Sequence, residues 1–217
     1  MIEGSRALEL MVVTDPECGA GREIADVVRA ALQGGAPSIQ LRAKSVSTRE
    51  TVELGRRLLT ETRTAGALLF VNDRIDVALA LGADGVHLGD DDLPLPDAVR
   101  LAPPGFLIGR SVETPDQARA ATRHGAAYLG VGTVFPTPSK LDTGEAIGLA
   151  GVASVRAATA LPLVAIGGID AENAAAVVKA GADGIAVIRA VLQAPEPDRA
   201  ARELIHAVRR GVVGRDR

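Results

Sequence analysis

Three carboxylates in a row, Asp90-Asp91-Asp92, follow directly on the apolar run Gly85-Val86-His87-Leu88-Gly89. Their mutual repulsion is costly unless water, a cation or basic groups offset it. Another acid, Asp73, stands behind a second apolar run in Asn72-Asp73-Arg74. Mg2+ takes one or two protein carboxylates and completes its shell with water and substrate phosphates, so Asp73 and one later acid suit it. The competing reading of Asp73 is a helix N-cap before Ile75–Ala80. His87 has no second metal-type partner and reads as a hydrogen-bonded core histidine.

Cations gather elsewhere. In Gln40-Leu41-Arg42-Ala43-Lys44, alternation along a strand puts Gln40, Arg42 and Lys44 on one side and Leu41 and Ala43 on the other. A guanidinium beside an ammonium suits a diphosphate. A solvated outer face is the alternative, although a buried strand seldom spends two cations on its inner face. Ser111, after Gly109-Arg110, either caps the next helix or touches a ligand. The loop Gly132-Thr133-Val134-Phe135-Pro136-Thr137-Pro138-Ser139-Lys140 joins two stiffening prolines to hydroxyls and an ammonium, a composition fit for a phosphate clamp. Ile166-Gly167-Gly168-Ile169-Asp170 and Val187-Ile188-Arg189-Ala190 each run from a strand into a helix. Gly168 is the position where a backbone could approach an anion closely.

Two anions are implied: a diphosphate on Arg42, Lys44, Lys140 and Mg2+, and a monophosphate at the last two loops. No Ser-His-Asp set, reactive thiol, nicotinamide fingerprint or convincing Schiff-base lysine accompanies them. A diphosphate with Mg2+ and no nucleophile suggests loss of pyrophosphate and transfer of the remaining carbon group.

The elements that must carry these groups are legible from punctuation. Gly-Ala recurs at Gly35-Ala36, Gly66-Ala67, Gly82-Ala83, Gly125-Ala126 and Gly181-Ala182, each after a helix-compatible stretch and before an apolar run. Glycine just past a helix end closes the last turn, so the pairs read as repeated helix-to-strand turns. Eight strands are predicted: Leu8–Thr14, Ser38–Arg42, Ala67–Asn72, Gly85–Leu88, Phe106–Ser111, Tyr128–Gly132, Leu163–Ile166 and Gly184–Ile188. Most are continuously apolar, as parallel strands covered on both faces are. Ile24, Val27, Val28, Ala31 and Leu32 form one helical face, and Ala174, Val177 and Val178 another behind Asp170 as N-cap. That count predicts a (β/α)8 TIM barrel as one domain over 1–217, with a doubly wound open sheet as the structural alternative. Residues after about Pro195 read as a closing helix and a frayed basic tail from Arg209 to Arg217.

Composition narrows the classes. Few aromatics (no Trp, one Tyr, three Phe) and a net charge of −3 exclude a basic, ring-lined nucleic-acid surface. Cys18 is the only cysteine, so no internal disulfide or thiolate cluster forms. No leader pattern opens Met1–Arg6 and no apolar run reaches a membrane span, so a cytoplasmic protein without membrane partners is expected. Small phosphorylated molecules are the expected partners, and homo-oligomerisation is left open.

Taken together, Gln40-Leu41-Arg42-Ala43-Lys44, Asn72-Asp73-Arg74, Gly85-Val86-His87-Leu88-Gly89 with Asp92, Phe135-Pro136-Thr137-Pro138-Ser139-Lys140 and Ala165-Ile166-Gly167-Gly168-Ile169 resemble the thiamine phosphate synthase family of phosphate-binding barrels. The resemblance runs from Thr14-Asp15 to Ala186-Val187-Ile188. It implies joining of a hydroxymethylpyrimidine diphosphate to a thiazole phosphate, with release of pyrophosphate. By resemblance, Gln40, Arg42, Lys44, Asn72, Ser111 and Lys140 hold the pyrimidine diphosphate, with Arg42, Lys44, Ser111 and Lys140 as the catalytic groups. Asp73 and Asp92 would ligate Mg2+, while Thr137, Ser139, Gly168, Ile188 and Arg189 hold the thiazole phosphate. The implied chemistry is dissociative: pyrophosphate leaves, then the thiazole nitrogen captures a pyrimidine cation. Three positions depart from the commoner family pattern. Ala43 replaces a frequent acid, Asp90 a glutamine, and Arg189 a small hydroxyl residue. The family also has a thiazole tautomerase branch resembling this chain less, because Glu113 stands where that branch uses histidine. A non-catalytic phosphate-ligand binder is the more distant alternative.

Overall fold

A computed structural model of the chain describes residues 5–19, 21–137 and 145–215. Eight short parallel strands close into a barrel in sequence order, which settles the choice against an open sheet. They are β1 (Leu10–Val13), β2 (Ser38–Leu41), β3 (Leu68–Asn72), β4 (Gly85–Leu88), β5 (Leu107–Val112), β6 (Tyr128–Val131), β7 (Leu163–Ile166) and β8 (Gly184–Val187). Each lies within two residues of its predicted bounds. The helices between them are α1 (Ile24–Gln33), α2 (Thr48–Ala65), α3 (Ile75–Leu81), α4 (Leu95–Leu101), α5 (Pro115–Arg123), α6 (Gly148–Ala158) and α7 (Ala174–Lys179). After β8 come α8 (Arg189–Leu192) and α9 (Pro197–Arg215). None of the described helices is long and apolar enough to cross a membrane.

Strand alternation sorts the buried side chains into two cores. Leu10, Val12, Ile39, Leu41, Leu69 and Val71 face the helices in one continuous layer. Met11, Val13, Phe70, Tyr128, Val164 and Ala186 fill the barrel itself. Phe70 and Tyr128 meet edge to face, with ring centroids 5.4 Å apart. Inward-facing glycines make room for the rings. A Cβ at Gly109 would lie 2.2 Å from Tyr128, one at Gly85 2.8 Å from Phe70, and one at Gly130 2.7 Å from His87.

All five Gly-Ala pairs are helix-to-strand turns. Their glycines carry φ from 65° to 125°. In each, the alanine N–H reaches back to a carbonyl of the preceding helix, as Ala83 does to Ala78 at 3.0 Å. The duplicated Gly-Ala-Asp-Gly has a second purpose. Asp84 Oδ2 accepts the Leu69 N–H at 2.8 Å and its Oδ1 the Arg63 guanidinium at 2.8 Å. Asp183 does the same for Leu163 and Arg156, both at 3.0 Å. Each copy thereby ties the start of one strand to the turn before the next.

Two local expectations are corrected. Asp170 is not the cap of α7: its carboxylate accepts the N–H groups of Glu172 and Asn173 in the turn that leads into the helix, and Asn173 holds the cap position. The C-terminal basic segment is helical as far as Arg215, because Leu204, Val208 and Gly211 continue the buried stripe. Arg209 pairs there with the buried Glu9 at 2.7 and 3.0 Å.

Candidate active site

A cavity of about 790 Å³ opens at the C-terminal ends of the strands, the end where barrels of this type carry their chemistry. Gln40, Arg42 and Lys44 all line it, whereas Ile39 and Leu41 pack outward, as the alternation requires. Gln40 is buried and its amide donates to the Met11 sulfur at 3.2 Å. Arg42 is held twice. Its side chain pairs with Asp15 at 2.7 Å. Its backbone N–H donates to Thr14 Oγ1 at 2.9 Å, while that hydroxyl donates to the Arg42 carbonyl at 3.0 Å. Asp15 belongs to no motif, and its only sequence signal is its place two residues past the end of β1, the strand beside β2.

Asp73 follows β3 in a left-handed backbone conformation, φ 65°, uncommon outside glycine and tolerated best by Asn and Asp. Arg74 N–H closes the tight turn on the Asn72 carbonyl at 2.7 Å. Asp73 does not cap α3, since Arg74 occupies that position. Its carboxylate reaches Lys44 Nζ at 3.4 Å. Burial holds the Asp73 carboxyl above the usual carboxylate range, the neighbouring Asp92 pushes it further, and Lys44 pulls the other way. Asp92 Oδ2 accepts the Gly89 N–H at 2.6 Å, so the acidic loop folds this carboxylate back over the strand end. Asp91 is exposed. Asp90 pairs with Arg110, which also donates to the Gly89 carbonyl. That guanidinium offsets the charge that the departure at Asp90 adds.

Among the described residues no three His, Cys, Asp or Glu side chains cluster as a metal cage. A half-buried Asp73 whose charge is disfavoured by burial and by the adjacent Asp92 is what a hydrated Mg2+ would relieve, so the donor set fits.

Ser111 does not cap the next helix; Thr114 does, in a reciprocal arrangement with Gln117. The Ser111 hydroxyl lies 3.0 Å from His87 Nε2, and His87 Nδ1 lies 3.0 Å from the Tyr128 hydroxyl. His87 is therefore hydrogen-bonded as expected, and it also forms part of the cavity wall with Tyr128. Asn72, Thr137, Gly168, Ile188 and Arg189 line the same cavity. A Cβ at Gly168 would lie 2.8 Å from Phe135 and from the Pro136 carbonyl, so glycine there lets the loop after β7 pack against the loop after β6. Ser139 and Lys140 lie outside the described residues. Every other residue singled out for the site meets at this one opening.

A family profile described as "Thiamine monophosphate synthase" matches residues 10–191. The chain belongs to the thiamine monophosphate synthase family. It is thus an enzyme, a transferase of thiamine biosynthesis on a (β/α)8 barrel. The thiamine-phosphate synthase of Moorella thermoacetica is 51% identical over 202 residues, 93% of this chain and 96% of that one. The thiamine-phosphate synthase of Natronomonas pharaonis is 52% identical over 199 residues, 91% of this chain and 93% of its own. Among solved structures, a thiamine phosphate pyrophosphorylase from Pyrococcus furiosus superposes with a TM-score of 0.87 at 44% identity, covering 96% of this chain and 98% of that one.

Proposed function

We propose that the chain condenses a hydroxymethylpyrimidine diphosphate with a thiazole phosphate, releasing pyrophosphate and forming thiamine phosphate. The observation that carries this reading is the convergence of Arg42 and Lys44 with Asp73 and Asp92 at one mouth, cations and acids together. A diphosphate needs the first pair directly and the second through a cation. Asp73 and Asp92 are the residues that would hold Mg2+, which when bound supplies positive charge to diphosphate oxygens.

The rest of the chemistry falls to side chains of this chain. Gln40, fixed by burial, reads the edge of the pyrimidine. Arg42, oriented by Asp15 and Thr14, holds the diphosphate in place, and Lys44, Asn72, Ser111 and Lys140 complete its surround. As the bond between the methylene carbon and the diphosphate oxygen breaks, its electron pair leaves with pyrophosphate. The thiazole nitrogen then gives its lone pair to the exposed carbon, so no proton need be removed and no general base is required. Thr137, Ser139, Gly168 and the backbone at Ile188 and Arg189 hold the second phosphate, placing the nitrogen in line. Positioning and charge neutralisation supply the rate.

The test is direct. Purified chain given both substrates and Mg2+ is expected to release pyrophosphate and yield thiamine phosphate, and chelation is expected to stop it. Isomerisation of the thiazole without pyrophosphate release would instead assign the tautomerase activity, and ligand binding without turnover a binding role.

A further inference from the structure

Behind the cations and acids lies a chain of three polar side chains that the reaction as described does not use in full. Tyr128 is fully buried, and burial keeps its phenol protonated. A buried phenolic proton requires an acceptor. Among the described residues the hydroxyl has one hydrogen-bond partner, His87 Nδ1, at 3.0 Å. Nδ1 therefore accepts, and a neutral imidazole that accepts at Nδ1 carries its proton on Nε2. That Nε2–H faces Ser111 Oγ at 3.0 Å. The serine oxygen accepts it, and its own proton, unable to return to the same nitrogen, turns to the cavity that Ser111 lines.

The rings are held in place. Tyr128 packs against Phe70 on one side and lies 5.5 Å, centroid to centroid, from His87. The rings sit directly over Gly109 and Gly130, where a Cβ would lie 2.2 Å from Tyr128 and 2.7 Å from His87. The polarity of the chain thus runs one way, from the barrel interior to the cavity.

We propose that Tyr128 and His87 are positioning residues that fix the Ser111 hydroxyl as a hydrogen-bond donor to the departing diphosphate. This rests on the functional reading above. A donor whose direction is set before the substrate arrives costs no reorganisation as negative charge builds on the leaving oxygen. A serine free to rotate offers a lone pair to that oxygen as readily as a proton.

The experiment has two arms on the full chain. In the first, 15N NMR of the ligand-free protein is expected to find His87 protonated at Nε2, with Tyr128→Phe admitting the Nδ1–H form. A wild-type ring protonated at Nδ1 overturns the relay. In the second arm, Ser111→Ala, His87→Asn and the double variant are compared for pyrophosphate release. Each single change is expected to lower kcat roughly tenfold or more, with the double variant no worse than Ser111→Ala. His87→Gln, whose amide nitrogen sits near the former Nε2, is expected to recover most of the rate. Losses that multiply in the double variant overturn the proposal. If His87→Asn does not fold, Tyr128→Phe and the tautomer decide. A wild type that releases no pyrophosphate overturns the functional reading and the leaving-group role with it, and the tautomer found in the same sample separates that failure from a failure of the relay.

Discussion

At the N-terminal end of the barrel Asp84 and Asp183 each accept one strand amide and one guanidinium. At the C-terminal end burial and the neighbouring Asp92 disfavour the charge on Asp73, and the only cation paired with Asp73 among the described residues is the exposed Lys44. The residue types are alike; the satisfaction is not. The lower acids bind the chain to itself and leave no charge to spare. The upper acids and Arg42 are held in place by neighbours, yet keep a face toward the cavity. Stability belongs to one end and chemistry to the other, the division expected of this architecture.

Exchanging damage between the two ends tests that division. Arg42→Ala is expected to lower the rate of pyrophosphate release by about 10²–10³, the scale of losing one preorganised charge contact, and also to lower the melting temperature, because Asp15 loses its partner. Asp183→Ala leaves the Leu163 N–H and Arg156 without their shared acceptor. It is expected to cost about 2 kcal/mol, roughly 4–8 °C in Tm for a chain of this size, while kcat of the folded fraction holds. Steady-state kinetics and thermal melts on both variants give the answer. A rate loss for Asp183→Ala comparable to that of Arg42→Ala would collapse the distinction.

Within the upper end the comparison narrows to neighbouring acids. Asp92→Asn is expected to raise the Mg2+ concentration needed for half-maximal rate at least tenfold, because Asp92 is the acid folded against Gly89 and beside Asp73. Asp91→Asn, at an exposed position, is expected to stay within about twofold of wild type. Equal effects would mean that the wrong acid has been assigned to the metal.

Which of these contrasts could be read from sequence follows from how local each one is. The eight strands and their turns were legible because apolar runs and Gly-Ala punctuation are properties of neighbouring residues. The inward set Gln40, Arg42 and Lys44 was legible from alternation alone. The pairs that orient the site were not. Asp15 meets Arg42, and Asp90 meets Arg110, only because adjacent strands align in a particular register, Val13 beside Gln40 and Leu88 beside Arg110. Register is a relation between distant segments and leaves no local mark. Tyr128, His87 and Ser111 come from three successive strands, so His87 read alone looked purely structural. The basic tail misleads for the opposite reason: its arginines are conspicuous locally, whereas Leu204, Val208 and Gly211 form a buried stripe only once the helix packs.

The smallest expected effect is the most specific to the comparison. In the folded chain Asp73 holds its proton more tightly than an ordinary carboxylate, mainly through burial and then through Asp92. The folded state therefore favours the neutral form, and stability contributed at low pH is lost as pH rises from the ordinary carboxylate value through the raised one. Ligand-free protein at neutral pH thus carries a charge it would be more stable without. Asp73→Asn keeps the shape and tolerates the left-handed backbone. It is expected to raise the Tm of the Mg2+-free protein by about 1–2 °C at neutral pH, although Lys44 loses its partner. The difference is expected to vanish below the carboxylate range, where both side chains are neutral. The same substitution at Asp84 is expected to lower Tm at neutral pH, since that carboxylate is the acceptor for Leu69 and Arg63. Melts of both variants across pH with a chelator present measure the two signs, and a common sign would show that the acids at the two ends are held alike.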